Sequence, residues 1–145
     1  MRRITSRKNP LILEWASLAT DAAARRASGV FFAEGIHLCA EALAVIPERV
    51  TELLVADEAS GNPEIAAILA RAASLAGVDV TVVPMDCYSK VSVLRSPEGI
   101  AARVAFAADE EQVLDAAPVR LVALAGIQDP GNAGAVVRTA AAAGA

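Results

Sequence analysis

Ile127-Gln128-Asp129-Pro130-Gly131-Asn132-Ala133-Gly134-Ala135-Val136-Val137-Arg138-Thr139-Ala140 is the stretch on which the reading of this chain turns. Before it lies an apolar run, residues 121–125, that reads as a buried parallel strand. After it lies an alanine-rich run that reads as a helix. A strand, a Pro-Gly turn, Asn132 at the cap and a helix opening at Gly134 build a polar site at the carboxyl end of a strand. That is where ligands bind in α/β proteins. Gly134 and Arg138 are four apart, so they share one helical face, and Arg138 can lean back over the turn that Gly134 leaves open. Asn132 can bond the free helix N–H groups or a substrate. The helix N-terminus itself favours an anion. Thr139 is expected to bond its own helix.

Upstream, strand and helix signals alternate. Asn9-Pro10 is a helix start, with Leu11, Trp15 and Leu18 at helical spacing and Gly29 as the stop. Strands are expected over 30–33, 51–55, 78–83 and 100–106, all in one sheet. Between them, Glu34-Gly35 turns into a helix over 36–46. Asn62-Pro63 opens another that runs to Ala76, and Asp86 caps a short one through Leu94. This alternation predicts a small three-layer α/β domain over 1–106. An acidic linker follows over 107–118, and a new strand–helix unit begins over 119–145.

Composition suits such a domain. The chain has 145 residues, is 55% hydrophobic with mean hydropathy +0.46, and is only 3% aromatic. Ala, Val, Leu and Ile must therefore build the core, as tightly packed helices on a sheet require. No apolar run approaches the ~18 residues of a membrane span. Glu14 interrupts the segment behind the first basic residues, so a signal peptide is not expected.

The net charge is −4, but it is unevenly spread. Residues 1–26 hold six basic residues (Arg2, Arg3, Arg7, Lys8, Arg25, Arg26) against Glu14 and Asp21, leaving seven basic and fifteen acidic residues elsewhere. A basic arm on an acidic body is suited to phosphate, or serves as a solubilising tail. Cys39 and Cys87 form no C-x-x-C, and His37 stands alone, so neither a metal nor a redox motif is indicated and all three read as structural. Glu34 reads as closing its strand-to-helix turn, and Trp15 as core.

The pattern D-P-G-N-x-G-x-x-x-R-T-A over 129–140 resembles the first motif of the SpoU (TrmH-like) branch of the SPOUT RNA methyltransferases. Ile4-Thr5-Ser6-Arg7-Lys8-Asn9-Pro10 looks like the opening of that family. Phe32-Ala33-Glu34-Gly35 with Glu41-Ala42-Leu43 is similar to its N-terminal substrate-binding domain, and Ser96-Pro97-Glu98-Gly99-Ile100 to the turn near that domain's end. The resemblance implies a ribosomal-protein-type RNA binder followed by the first strand–helix unit of a knotted methyltransferase domain. It also implies transfer of a methyl group from S-adenosylmethionine to a ribose 2′-hydroxyl of ribosomal or transfer RNA, in a cytoplasmic enzyme that is a homodimer at full length. Arg138 matches the family arginine implicated in activating the hydroxyl. Arginine is a poor base, so its role is better seen as a planar fork that binds phosphate and stabilises developing negative charge. Arg138 and Asn132 are the catalytic candidates, and Gly134, Arg7, Lys8, Arg2 and Arg3 the substrate-binding ones. No metal is implied.

The family's second and third motifs, which form the knotted cofactor pocket, do not occur before Ala145. The cofactor-binding residues are expected beyond it, and the chain by itself is expected to bind RNA weakly without catalysis. Two rivals remain. One is a free-standing RNA-binding module. The other is a small nucleotide-binding protein using 131–134, which lacks the Lys-Ser/Thr of a P-loop and the G-x-G-x-x-G of a dinucleotide fold.

Overall fold

A computed structural model describes residues 1–106 and 121–144. The chain divides into two compact units, Met1–Phe106 and Ala107–Ala145. The expected linker over 107–118, and the residues at 119–120, lie outside the described residues.

The first unit is a five-stranded mixed sheet with helices on both faces. In chain order its elements are β1 (Arg2–Arg3), α1 (Pro10–Thr20), α2 (Ala22–Ser28), β2 (Val30–Glu34), α3 (Ile36–Val45) and β3 (Val50–Ala56). Then come α4 (Pro63–Ala73), β4 (Asp79–Val83), α5 (Met85–Val91) and β5 (Ile100–Ala105). The strand order is β1-β4-β3-β5-β2. β1 and β3 pair parallel with β4, while β5 pairs antiparallel with both β3 and β2. The four expected strands therefore share one sheet, and β1 is an addition to it.

Alternation along β3 explains the layering. Successive side chains point to opposite faces. Leu53 and Val55 pack with Cys39 and Leu43 of α3 and Ile65 and Ile68 of α4. Leu54 and Ala56 pack with Ile12 and Trp15 of α1 and Cys87, Tyr88 and Val91 of α5. Aliphatic side chains build the first layer, and Trp15 and Tyr88 join them in the second. Trp15 is fully buried, edge-on to Phe32 at 6.1 Å between ring centroids.

Several boundaries differ from those expected. The helix opening at Pro10 does not run to Gly29. It stops at Thr20, and Asp21 restarts it by accepting the Ala23 N–H at 2.7 Å. Arg25 Nη1 then donates to the Leu18 carbonyl at 2.7 Å and ties α2 back to α1. Asp86 lies within the first turn of α5, behind Pro84 at the cap position, and that helix ends at Val91. α4 ends at Ala73, one turn before Ala76, with Ser74 as its C-cap.

The basic N-terminus is not a free arm. Arg2 and Arg3 form β1, where they satisfy the exposed edge of β4. Arg2 Nη2 pairs with Glu52 Oε1 at 2.7 Å, and Arg3 pairs with Asp57.

Two motifs of the sequence interlock at the carboxyl end of β2. Glu34 does not close its own turn. Its buried carboxylate reaches across to accept the Val93 N–H at 3.0 Å and the Tyr88 hydroxyl at 3.3 Å. Glu98 supplies the cap instead, accepting the Ile36 N–H at 2.7 Å. Gly35 makes room, because a Cβ there would lie 2.8 Å from Glu98 Oε2. Gly99 has φ +83°, and a Cβ would lie 2.5 Å from the Ala59 Cβ. Only glycine fits that turn.

In the second unit, residues 121–125 are exposed and do not form a strand. A single strand leaves its N–H and C=O groups without partners. Among the described residues no second strand of this unit lies beside it. α6 (Pro130–Ala142) follows.

Candidate functional site

The polar turn before α6 is built by Asp129. Its Oδ1 accepts the Asn132 N–H at 2.8 Å, and Pro130 occupies the first helical position with its φ already set. The helix thus opens at Pro130, not at Gly134, and Asn132 lies inside the first turn instead of capping it. The signal was present in the sequence. Asp129-Pro130 repeats the arrangement of Asn9-Pro10 and Asn62-Pro63, each of which also caps its helix through the side chain preceding the proline. Asp129 also explains Gly131, where a Cβ would lie 2.9 Å from the capping Oδ1. Because this carboxylate already sits at the helix N-terminus, that end is less open to a second anion than the sequence suggested.

Arg138 lies where the spacing put it. A Cβ on Gly134 would be 3.3 Å from Arg138 Nη1, so the guanidinium folds back along the helix over the glycine. Asn132 and Arg138 are both exposed. No hydrogen bond or ion pair engages the Arg138 side chain among the described residues. Its five N–H donors therefore have no protein partner among the described residues. Thr139 Oγ1 donates to the Ala135 carbonyl at 2.9 Å and serves its own helix. The structure puts Gly134 and Arg138 on one face of α6, whereas Asn132, two residues before Gly134, projects from the opposite side of the helix.

Arg2, Arg3, Arg7 and Lys8 all belong to the first unit. Arg2 pairs with Glu52 of β3 and Arg3 with Asp57 in the turn after it, whereas Arg7 and Lys8, exposed in the loop between β1 and α1, have no side-chain partner among the described residues. Beneath β1, Glu52 also accepts the Thr81 hydroxyl at 2.7 Å and faces Arg103 Nη1 at 3.4 Å. Arg103 in turn lies 4.5 Å from the Trp15 ring centroid and 3.1 Å from Glu14. This network is structural, held between the sheet and α1.

The cysteines are buried and free. Burial, with help from Glu34 and Glu98, pushes the Cys39 thiol up to about 12. Burial and Asp86 also raise the Cys87 thiol. Neither is a nucleophile at neutral pH. His37 is exposed on α3. Among the described residues no group of His, Cys, Asp or Glu could hold a metal ion. No helix there is long and apolar enough to cross a membrane.

Comparison with known proteins gives this geometry its context. Residues 9–102 match the family model described as the MRM3-like substrate binding domain. The chain is 34% identical over 144 residues to the 23S rRNA (guanosine(2553)-2′-O)-methyltransferase RlmP of Bacillus subtilis, covering 99% of this chain and 52% of that protein. A crystal structure of an RNA 2′-O ribose methyltransferase is 32% identical with a TM-score of 0.70, covering 99% of this chain and 53% of that one. The SpoU methyltransferase AviRb of Streptomyces viridochromogenes, solved with AdoMet, shares the fold at 24% identity and a TM-score of 0.69, over 95% of this chain and 51% of that one. The chain spans about half the length of the relatives it matches. With its sheet, its two helical layers and most of its first unit covered by that match, the chain belongs to the MRM3-like substrate-binding-domain family, and its structural neighbours are SpoU/TrmH-type RNA methyltransferases.

Proposed function

We propose that this chain serves an RNA 2′-O-ribose methyltransferase. Residues 1–106 hold the RNA, 107–118 link the units, and 119–145 contribute the substrate side of the reaction centre. The observation that carries the reading is the guanidinium of Arg138, folded over Gly134 and without a partner among the described residues. Methyl transfer to a ribose hydroxyl is an in-line displacement at carbon. It requires the hydroxyl to be aligned and its developing negative charge to be stabilised. A guanidinium fork on an open helical turn can grip the adjoining phosphate and place donors near that oxygen. Gly134 lets the guanidinium lie close against the helix, and Asn132 offers an exposed amide in the first turn.

The methyl donor we propose is S-adenosylmethionine. We place its pocket outside the described residues. The groove over α6 is lined by Leu121, Val122, Leu124, Val136 and Val137 with Ala140 and Ala141, and none of these side chains can bond a ribose or an amino acid. We assign Asn132, Gly134 and Arg138 to the RNA, because Asn132 and Arg138 are exposed and polar and lie outside that apolar groove. Ribosomal RNA is the favoured substrate, since the Bacillus relative acts on it. The proposed compartment is the cytoplasm and the proposed assembly of the whole protein a homodimer.

The test incubates the whole protein with ribosomal RNA and tritiated S-adenosylmethionine. Label resisting alkaline cleavage, the mark of a blocked 2′-hydroxyl, supports the reading. Label on bases, or none, overturns it.

A further inference from the structure

The loop between β1 and α1 is gripped from α5 at two points. Cys87 Sγ donates to the Thr5 carbonyl at 3.5 Å, and Lys90 Nζ donates to the Arg7 carbonyl at 3.1 Å. Inside the loop, the Lys8 N–H donates to Ser6 Oγ at 3.3 Å and the Asn9 N–H to the Ser6 carbonyl at 3.0 Å. The backbone over 5–9 is held, yet the side chains of Arg7 and Lys8 are exposed with no partner among the described residues. Lys90 spends one of its three donors on the loop and keeps two. At the Cys87 thiol the Asp86 carboxylate acts more strongly than Arg7 and Lys90, which oppose it, so one acid and two cations meet there. Arg2 and Arg3 differ, being engaged by Glu52 and Asp57.

We propose that Arg7, Lys8 and Lys90 form a pre-organised binding surface for the phosphates of an RNA backbone, with α5 supplying both the third cation and the clamp. This inference rests on the RNA-binding reading above and assigns it a place. On a body of net charge −4, phosphate binding must be local. A clamped loop presents its cations without paying the ordering entropy of a flexible arm. Asp86, one helical turn before Lys90 on the same face, is the acid that bounds the surface.

The experiment titrates the chain with a fluorescently labelled RNA stem–loop of mixed sequence at several salt concentrations. Arg7→Glu with Lys8→Glu is expected to weaken binding by about tenfold or more. The slope of log affinity against log salt should fall by roughly 0.7–0.9 for each cation removed. Lys90→Gln, which removes the charge and leaves an amide on a side chain one atom shorter, should weaken binding about threefold. Lys8→Glu alone touches no packed group and guards against a folding artefact. Arg3→Gln should stay within about twofold. Failure of the unsubstituted chain to bind the stem–loop would overturn the RNA reading and this inference together. Binding that survives Arg7→Glu/Lys8→Glu, or falls more with Arg3→Gln, would overturn only the surface assigned here. Poly-glutamate competing as well as unlabelled RNA would also overturn it, in favour of an acidic protein partner.

Discussion

Glu98 accepts the backbone N–H of Ile36 at 2.7 Å across 62 positions of sequence, and so caps α3 from the far end of the domain. The cap joins Phe32-Ala33-Glu34-Gly35 to Ser96-Pro97-Glu98-Gly99, two motifs that look independent in the chain. Replacing Glu98 with Ala removes the only side-chain acceptor at that helix start among the described residues. We expect a loss of about 1–2 kcal/mol, the usual worth of a cap, measured by urea denaturation. An unchanged midpoint would mean that water replaces the carboxylate.

Gly99→Ala should cost more, about 2–4 kcal/mol. The positive φ accounts for about 1–2 of this and overpacking against Ala59 for the rest. Gly61→Ala is the control, since a Cβ there meets nothing. It should shift stability by less than about 0.5 kcal/mol. Equal midpoints for the two variants would contradict the close approach.

Arg103→Met tests the buried ion pair. Arg103 and Glu52 have side chains 12% and 8% exposed, so removing the cation leaves a carboxylate in the sheet with, among the described residues, only Arg2 and Thr81. A loss of about 3 kcal/mol is expected. A neutral result would show that Arg2 alone suffices.

Alkaline pH should destabilise the first unit. The Cys39 thiol, normally near 9.0, is pushed up to about 12 by burial. The unfolded chain releases that proton first, so stability is full below about pH 9 and falls as pH rises toward 12. By about pH 10.5 the loss from this group is roughly 2 kcal/mol. Tyr88, also raised by burial and by Glu34, adds to it. Thermal melts at pH 8 and 10.5 check this, and Cys39→Ala should lessen the difference between them. Identical melting shifts for both proteins would remove Cys39 as the cause.

Arg138→Lys should abolish most methyl transfer by the whole protein, about 100- to 1000-fold, because a point charge lacks the planar two-pronged geometry. Single-turnover methylation measures the rate and a thermal melt checks the fold. A near-normal rate would reduce Arg138 to a phosphate contact, and a large melting shift would mean that the helix needed it.

Periodicity and capping chemistry decided most of the fold from the chain alone. The strand–helix alternation, the Asn-Pro starts and the apolar strands around β3 are local properties, and local sequence carries them. The four-residue spacing of Gly134 and Arg138 was equally legible, because helical geometry makes them neighbours. Other features depended on groups distant in sequence. That the basic N-terminus is an edge strand depends on Thr81 and Glu52. That Glu34 braces α5, leaving Glu98 to cap α3, depends on where the Ser96–Gly99 turn comes to rest. The apolar run at 121–125 shows the converse, since strand propensity without a neighbouring ladder leaves the backbone unpaired. A sequence specifies which segments want to be helix or strand; which charges are already spent, and so which remain for a ligand, is decided only when tertiary packing brings their partners within reach.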